Sequence, residues 1–255
     1  MQAVFLDKGT FSDGIDLPAP TGVSDYITYN DTPADTDTII ERCKDTDIII
    51  TNKVKIGADV IAKLPKLKLI QLTATGMNNV DHDACDKHDV ALYNVAGYAV
   101  KSVPEHTFML MLTAMRAGIH YHQKVADGTW LANGNFCLLD IPLIDLEDKT
   151  LGIIGVGTIG KRVTEIARAF GMTVLWADHQ GQAPRNEDYT AFDDVLARAD
   201  VISLHCPLNE QTQHLINKDT LAKMTKQPLI VNVARGGIVD SQALAEAINN
   251  EQIIG

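Results

Sequence analysis

The residues of this chain best suited to chemistry stand where short apolar runs break off. Arg235 follows the run Pro228–Val233 and is flanked by Gly236 and Gly237. A guanidinium in that position can grip a carboxylate in a bidentate fork, and a residue just past a parallel strand lies at the edge where open α/β sheets bind ligands. An ordinary surface arginine in a turn is the alternative. Thr73-Ala74-Thr75-Gly76-Met77-Asn78-Asn79 follows a second apolar run. Its backbone N–H groups could cradle an anion, or it could be a polar strand-to-helix turn capped by asparagine. His205 and Cys206 follow Val201–Leu204, and Asp178 ends Thr173–Ala177.

Asp178 closes a longer pattern. Lys149 to Asp178 reads KTLGIIGVGTIGKRVTEIARAFGMTVLWAD. Leu151–Ile154 predicts a buried parallel strand. It breaks into Gly155-Val156-Gly157-Thr158-Ile159-Gly160, and a helix follows with Ile159, Val163, Ile166, Ala167 and Phe170 on one stripe. Gly171 stands where a left-handed C-cap belongs, and a second strand leads to the acid. Strand, G-x-G-x-x-G, helix, strand and acid together form the dinucleotide-binding pattern. Gly155 allows the tight turn, Gly157 admits a pyrophosphate and Gly160 brings the helix close to the strand. The helix N-terminus supplies unpaired N–H groups to the phosphates. Asp178 can accept from both ribose hydroxyls and repels a 2′-phosphate. No Arg or Lys lies between Trp176 and Gln182, so the expected cofactor is NAD, with NADH preferred to NADPH.

The 255 residues suffice for one large or two small domains, and at 45% hydrophobic they can bury a substantial core. A net charge of −11 disfavours nucleic acid and anionic membranes as partners. Cys43, Cys85, Cys137 and Cys206 form no C-x-x-C pair, which argues against a zinc site or disulfide framework and suits a reducing, cytoplasmic compartment. The N-terminus opens on an apolar strand instead of a signal peptide, and no apolar run approaches membrane-spanning length. His120 and His122 would face different sides of a helix, so they are not expected to pair on a metal. His106 is expected to be structural. None of the eight histidines has an evident carboxylate partner in sequence, so no general acid is assigned.

The elements that position these residues alternate along the chain. Strands are expected at 4–6, 25–29, 47–51, 67–73 and 91–95, with helices at 36–44, 57–64 and 81–88. This predicts an α/β domain, a doubly wound parallel sheet, over residues 1–97. Gly97–Lys101 reads as a hinge. Ser102 and Glu105 read as a capping box with Pro104 in the first turn. The following helix is apolar on every side from Phe108 to Leu112, so burial all round is expected, with a second domain or subunit covering its far face. Tyr121–Asp148 reads as a long irregular arm suited to packing on a partner. Beyond Asp178, helices are expected at 189–198, 218–224 and 240–249, the last capped by Asp240. Strands are expected at 201–204 and 228–233, with the start of another at 251–255. Residues 98–255 thus form a second doubly wound domain.

Taken together, TATGMNNVD (73–81), NVAGYAVKSVPEHTF (94–108), NFCLLDIPLIDLEDKTLGIIGVGTIG (135–160), HCPLNEQT (205–212) and NVARGGIVD (232–240) resemble the D-isomer-specific 2-hydroxyacid dehydrogenases, and among them the NAD-dependent glycerate dehydrogenases, or hydroxypyruvate reductases. The resemblance spans most of the chain in the family's order. It implies a flavodoxin-like substrate domain, a Rossmann NAD-binding domain, and a homodimer formed through the buried helix and the arm. It implies that Arg235 orients the substrate carboxylate and carbonyl, that Thr75 and Gly76 hold the carboxylate through backbone N–H, and that Thr107, Thr158, Ile159, Asp178, Cys206, Thr212, Val233 and Ala234 line the cofactor. The expected reaction is hydride transfer between NAD(H) and a small 2-hydroxy or 2-oxo acid, D-glycerate and hydroxypyruvate foremost. Phosphoglycerate, lactate or formate types, and a non-catalytic NAD-sensing protein, are the alternatives. Family members continue for several dozen residues past the position of Gly255, a segment carrying the catalytic histidine and its glutamate partner. The chain is therefore expected to be a C-terminally truncated member with impaired turnover.

Overall fold

The computed structural model describes residues 1–255, which divide into two compact units, Met1–Tyr98 and Ala99–Gly255. The first contains β1 (Gln2–Phe5), β2 (Asp25–Thr28), α1 (Thr36–Cys43), β3 (Ile48–Thr51), α2 (Ala58–Ile61), β4 (Leu69–Leu72), α3 (His82–Lys87) and β5 (Ala91–Tyr93). The strands are all parallel, in the order β2-β1-β3-β4-β5. This is a doubly wound order, and it follows from unbroken apolar strands such as Ile48–Ile50 that are covered on both faces. Val4, Leu6, Ile49, Ile70 and Leu72 form the core with Ile39, Val60 and Ile61 from the helices. Asp35 and Asp81 cap α1 and α3 by accepting from the N–H groups of Thr38 and Ala84.

The second unit opens with α4 (Ala99–Met115), α5 (Gly118–Ala126) and α6 (Thr129–Ala132). It continues through β6 (Thr150–Ile154), α7 (Thr158–Ala169), β7 (Thr173–Ala177), β8 (Tyr189–Thr190), α8 (Phe192–Arg198), β9 (Val201–Leu204), α9 (Lys218–Leu221), β10 (Leu229–Asn232) and α10 (Ser241–Asn249). Its five parallel strands run in the order β10-β9-β6-β7-β8. α7 ends in a complete Schellman motif. Gly171 has φ +74°, its N–H bonds the Arg168 carbonyl, and the Met172 N–H bonds that of Ala167.

Several local expectations need correction. α4 begins at Ala99, so the last three residues of the expected hinge are helical and Ser102 is not its cap. Pro104 therefore lies inside the helix, where its missing N–H leaves the Val100 carbonyl without its usual donor. Within this chain one face of α4 is covered and the far face, expected to be covered by a second domain or subunit, is open. Thr107, Phe108, Met111 and Met115 are buried, whereas Met109 and Leu110 are exposed. The first part of the expected arm is helical, as the end of α5 and as α6, while residues 133–148 are irregular as expected. Between Ile119 and Leu143 the chain presents exposed apolar side chains, with Leu131 86% and Phe136 100% exposed. Tyr189–Thr190 is a strand and not the start of a helix. It pairs with Trp176–Ala177, and its aromatic ring packs against Trp176 at 5.7 Å. Glu251–Gly255 is not a strand either. Ile254 N–H bonds the Pro228 carbonyl and Ile230 N–H bonds that of Gly255, while Ile253 is buried.

Candidate nucleotide and substrate sites

In the second unit β6 lies between β7 and β9. The chain winds from β6 to β8 on one side and then crosses back to β9 and β10. The carboxyl ends of β6 and β9 therefore meet at the topological switch point, where open sheets take ligands. A cavity of about 400 Å³ opens there, with Gly155, Asp178, Arg185, Tyr189, Cys206 and Thr212 among its lining residues. A second, more open recess shares Val156 with it and is lined also by Gly157, Thr158 and Lys161.

The three glycines of the turn do different work. Gly155 has φ +102°, and a Cβ there would lie 2.4 Å from the Cys206 nitrogen. Only glycine lets the loops after β6 and β9 approach so closely. A Cβ on Gly157 would meet nothing within 4 Å. That open space faces the first turn of α7, whose N–H groups receive no side-chain cap. A Cβ on Gly160 would lie 2.3 Å from the Gly155 carbonyl oxygen. Gly160 is buried in the helix–strand contact and shapes the turn; it does not line the cavity. Thr107 is also buried, its hydroxyl donating to the Val103 carbonyl. Ile159, Val233 and Ala234 are half-buried and line neither recess.

Asp178 is not the bare acid that the sequence suggests. Its Oδ1 accepts from His179 N–H at 2.8 Å and from Arg185 Nη2 at 2.6 Å, and its Oδ2 accepts from Arg185 N–H at 2.7 Å and Nε at 3.0 Å. This bidentate ion pair holds the carboxyl well below the usual carboxylate range, the Arg185 side-chain hydrogen bonds being the main cause and burial opposing them. The expectation of no nearby cation is thus overturned. Arg185 lies beyond the window between Trp176 and Gln182, and the intervening loop folds it back. The signal available in sequence was an arginine shortly before the aromatic Tyr189, over whose ring the guanidinium sits at 4.4 Å.

His205 points its Nε2 at Ser203 Oγ, 2.9 Å away, and its buried Nδ1 has no hydrogen-bond partner. Burial pushes its pKa down to about 4, so at neutral pH it holds no acidic proton to donate. Burial also pushes the Cys206 thiol up. His106, expected to be structural, is exposed in this chain. His120 does have a carboxylate partner, Asp140 at 2.8 Å, twenty residues along the chain.

Arg235 follows β10 and is exposed. Its Nη1 donates to the Ala234 carbonyl at 2.9 Å, leaving the rest of the fork free. The loop is braced by Asn232, which accepts from Ala234 N–H and donates to the Arg235 carbonyl. In the first unit, Thr75 and Gly76 follow β4. The Thr75 hydroxyl donates to the Val95 carbonyl at 2.9 Å, and Asn94 donates to the Thr75 carbonyl at 2.7 Å. The N–H groups of Thr75 and Gly76 find no acceptor within the chain, as an anion cradle requires.

Residues 108–255 match the family model of the D-isomer-specific 2-hydroxyacid dehydrogenase NAD-binding domain. The whole chain is 40% identical over 255 residues to a putative 2-hydroxyacid dehydrogenase of Haemophilus influenzae, covering 80% of that protein. The chain belongs to the D-isomer-specific 2-hydroxyacid dehydrogenase family. NAD is its cofactor, and the open cradle at Gly157 and the unclaimed N–H groups of α7 fit the pyrophosphate. The chain is also 34% identical over 258 residues to a hydroxypyruvate reductase of Blautia hydrogenotrophica, with 99% of this chain and 80% of that protein covered. Among solved structures, the TT0316 protein of Thermus thermophilus superposes with a TM-score of 0.85 at 25% identity, covering all of this chain and 80% of that one. No helix is long and apolar enough to cross a membrane.

Proposed function

We propose that this dehydrogenase interconverts hydroxypyruvate and D-glycerate. The observation that carries the reading is the similarity to a hydroxypyruvate reductase along nearly the whole chain, joined to an exposed arginine fork at the carboxyl end of β10. In this reading residues 1–97 form the substrate domain and 98–255 the NAD-binding domain. When bound, the cofactor supplies or accepts a hydride. The N–H groups of Thr75 and Gly76 hold the substrate carboxylate. Arg235 presents two parallel donors that hold the substrate and polarise its carbonyl, stabilising negative charge as it develops on oxygen. Gly155, Gly157 and Thr158 shape the phosphate cradle, with Gly160 behind them. Asp178, Cys206 and Thr212 face the nucleotide, while Thr107, Ile159, Val233 and Ala234 support or flank it.

The protein acts as a homodimer in this reading. Met109 and Leu110 on α4 and the exposed apolar residues of the arm supply the kind of patch that marks a protein interface. The free cysteines, three of them buried, suit a cytoplasmic location. The test is steady-state loss of NADH absorbance with the full-length protein, comparing kcat/KM for hydroxypyruvate, glyoxylate, pyruvate and phosphohydroxypyruvate. Hydroxypyruvate is expected to rank first; a ten-fold preference for any of the others refutes the assignment.

A further inference from the structure

We propose that Arg185 sets the cofactor choice of this chain: its guanidinium screens Asp178 and offers a free nitrogen to a ribose 2′-phosphate, so that NADPH binds alongside NADH. The inference rests on reading the cavity beside Asp178 as the adenosine end of the nucleotide site.

Three observations carry it. First, exposure is divided unequally within the pair: the Arg185 side chain is 47% exposed and the Asp178 side chain 2%. Both residues line the cavity, so a group arriving there meets the guanidinium before the carboxylate. Second, the carboxylate is already saturated. It has about four lone-pair sites, and His179 N–H, Arg185 N–H, Nε and Nη2 occupy them. Two ribose hydroxyls cannot be accepted in the usual way unless the guanidinium withdraws. Third, the guanidinium is held in place yet incompletely used. It lies over the Tyr189 ring, and its Nη2 also lies 2.9 Å from His179 Nδ1. Its Nη1 has no hydrogen bond within the chain, although every other nitrogen of Arg185 has one. A fixed planar donor loses little freedom on meeting an anion.

The electrostatic consequence follows directly. An isolated strand-end carboxylate repels a 2′-phosphate. A neutral Asp–Arg pair with its cation outermost does not, and it adds a charge-assisted hydrogen bond of the strong class. Such a bond corresponds to a factor of about ten to a hundred in affinity.

The test is equilibrium binding of NADH and NADPH to the wild-type protein and three variants, by titration calorimetry. Wild type is expected to bind NADPH within about ten-fold of NADH. In Arg185→Gln the ratio of the NADPH to the NADH dissociation constant should rise about ten- to a hundred-fold, whereas Arg185→Lys, which keeps the charge, should raise it far less. Removing the carboxylate in Asp178→Asn frees the guanidinium and should shift the ratio towards NADPH, a variant that remains informative if the glutamine substitution fails to fold. An Arg185→Gln ratio equal to that of wild type, or wild type binding NADH but rejecting NADPH, overturns the role of Arg185 and leaves the nucleotide site standing. Failure of wild type to bind either cofactor overturns the site and this inference together.

Discussion

Replacing the second and third glycines of the turn should separate binding from stability. Gly160→Ala places a methyl group 2.3 Å from the Gly155 carbonyl oxygen and 3.2 Å from Ile153 Cγ2. Backbone cannot swing aside as a side chain can, so α7 must retreat from β6 by about 1 Å to restore normal contact. Overpacking of this kind costs about 1–3 kcal/mol, and the backbone obstacle puts this site at the upper end. The better helix propensity of alanine returns at most about 1 kcal/mol. A net loss of about 2 kcal/mol is expected in urea unfolding. Gly157→Ala adds a methyl with nothing within 4 Å, at an ordinary φ of −84°. As a poorer N-cap it should cost no more than about 1 kcal/mol. Its methyl stands where the pyrophosphate must approach the backbone. Losing charge-assisted hydrogen bonds to the first turn of α7 should then weaken NADH binding about ten- to a hundred-fold. Both variants are measured by urea unfolding and by NADH titration. NADH binding by Gly157→Ala within two-fold of wild type refutes the cradle, and wild-type stability in Gly160→Ala refutes the packing argument.

Three further outcomes are expected. In the full-length protein, Arg235→Lys keeps the charge but loses the planar fork, and kcat/KM for the 2-oxo acid should fall by more than about a hundred-fold; a loss of only a few-fold means that Arg235 is not the substrate anchor. His205 has a folded pKa of about 4, below its unfolded value near 6.5, so the unfolded chain takes up the proton first as pH falls. The associated stability is present above about pH 6.5 and is lost towards pH 4, amounting to about 1–2 kcal/mol by pH 5; His205→Asn should therefore lose less stability than wild type between about pH 7 and pH 5, and equal slopes in urea unfolding refute this. Leu131→Glu combined with Phe136→Glu should shift the protein from dimer to monomer in sedimentation velocity, and an unchanged sedimentation coefficient removes the arm from the interface.

The regular elements were largely legible because their signals are local. The strand at Thr173–Ala177 and the strand at Val201–Leu204 have the expected bounds, since continuous apolar runs between turn residues leave little choice. Gly171 closes α7 as expected, and Asp240 caps α10 by accepting from the N–H groups of Gln242 and Ala243. The errors arose where local signals compete. Ser102, Pro104 and Glu105 have the spacing of a helix start, yet packing of α4 against α7 and β10 carries the helix back to Ala99, and a single proline is tolerated. Tyr189–Thr190 is drawn into the sheet by its edge beside Trp176–Ala177, a long-range effect that no periodicity within 189–198 encodes. Arg185 is the consequential miss. It lies seven positions after Asp178, and only the folded loop brings the two together.

A net charge of −11 argues against nucleic acid and anionic membranes, yet the ligands of this family are themselves anions. Geometry reconciles the two. Surface charge acts at long range and is screened over about 8 Å at physiological ionic strength, so it discourages extended anionic polymers that must lie along the surface. A small anion at a strand end interacts instead with the groups immediately around it. In the first unit the candidates are the backbone N–H groups of Thr75 and Gly76, which carry no formal charge. In the second the candidates are the N–H groups at the start of α7, Arg185 in the loop between β7 and β8, and Arg235 just after β10. Arg185 is neutralised by Asp178, and Arg235 is exposed beside its own backbone. The cation count of the whole chain therefore says little about its affinity for a carboxylate or a phosphate. What decides it is which donors are left without an internal acceptor, and those include Thr75 N–H, Gly76 N–H, the first turn of α7, Arg185 Nη1, and Nε and Nη2 of Arg235.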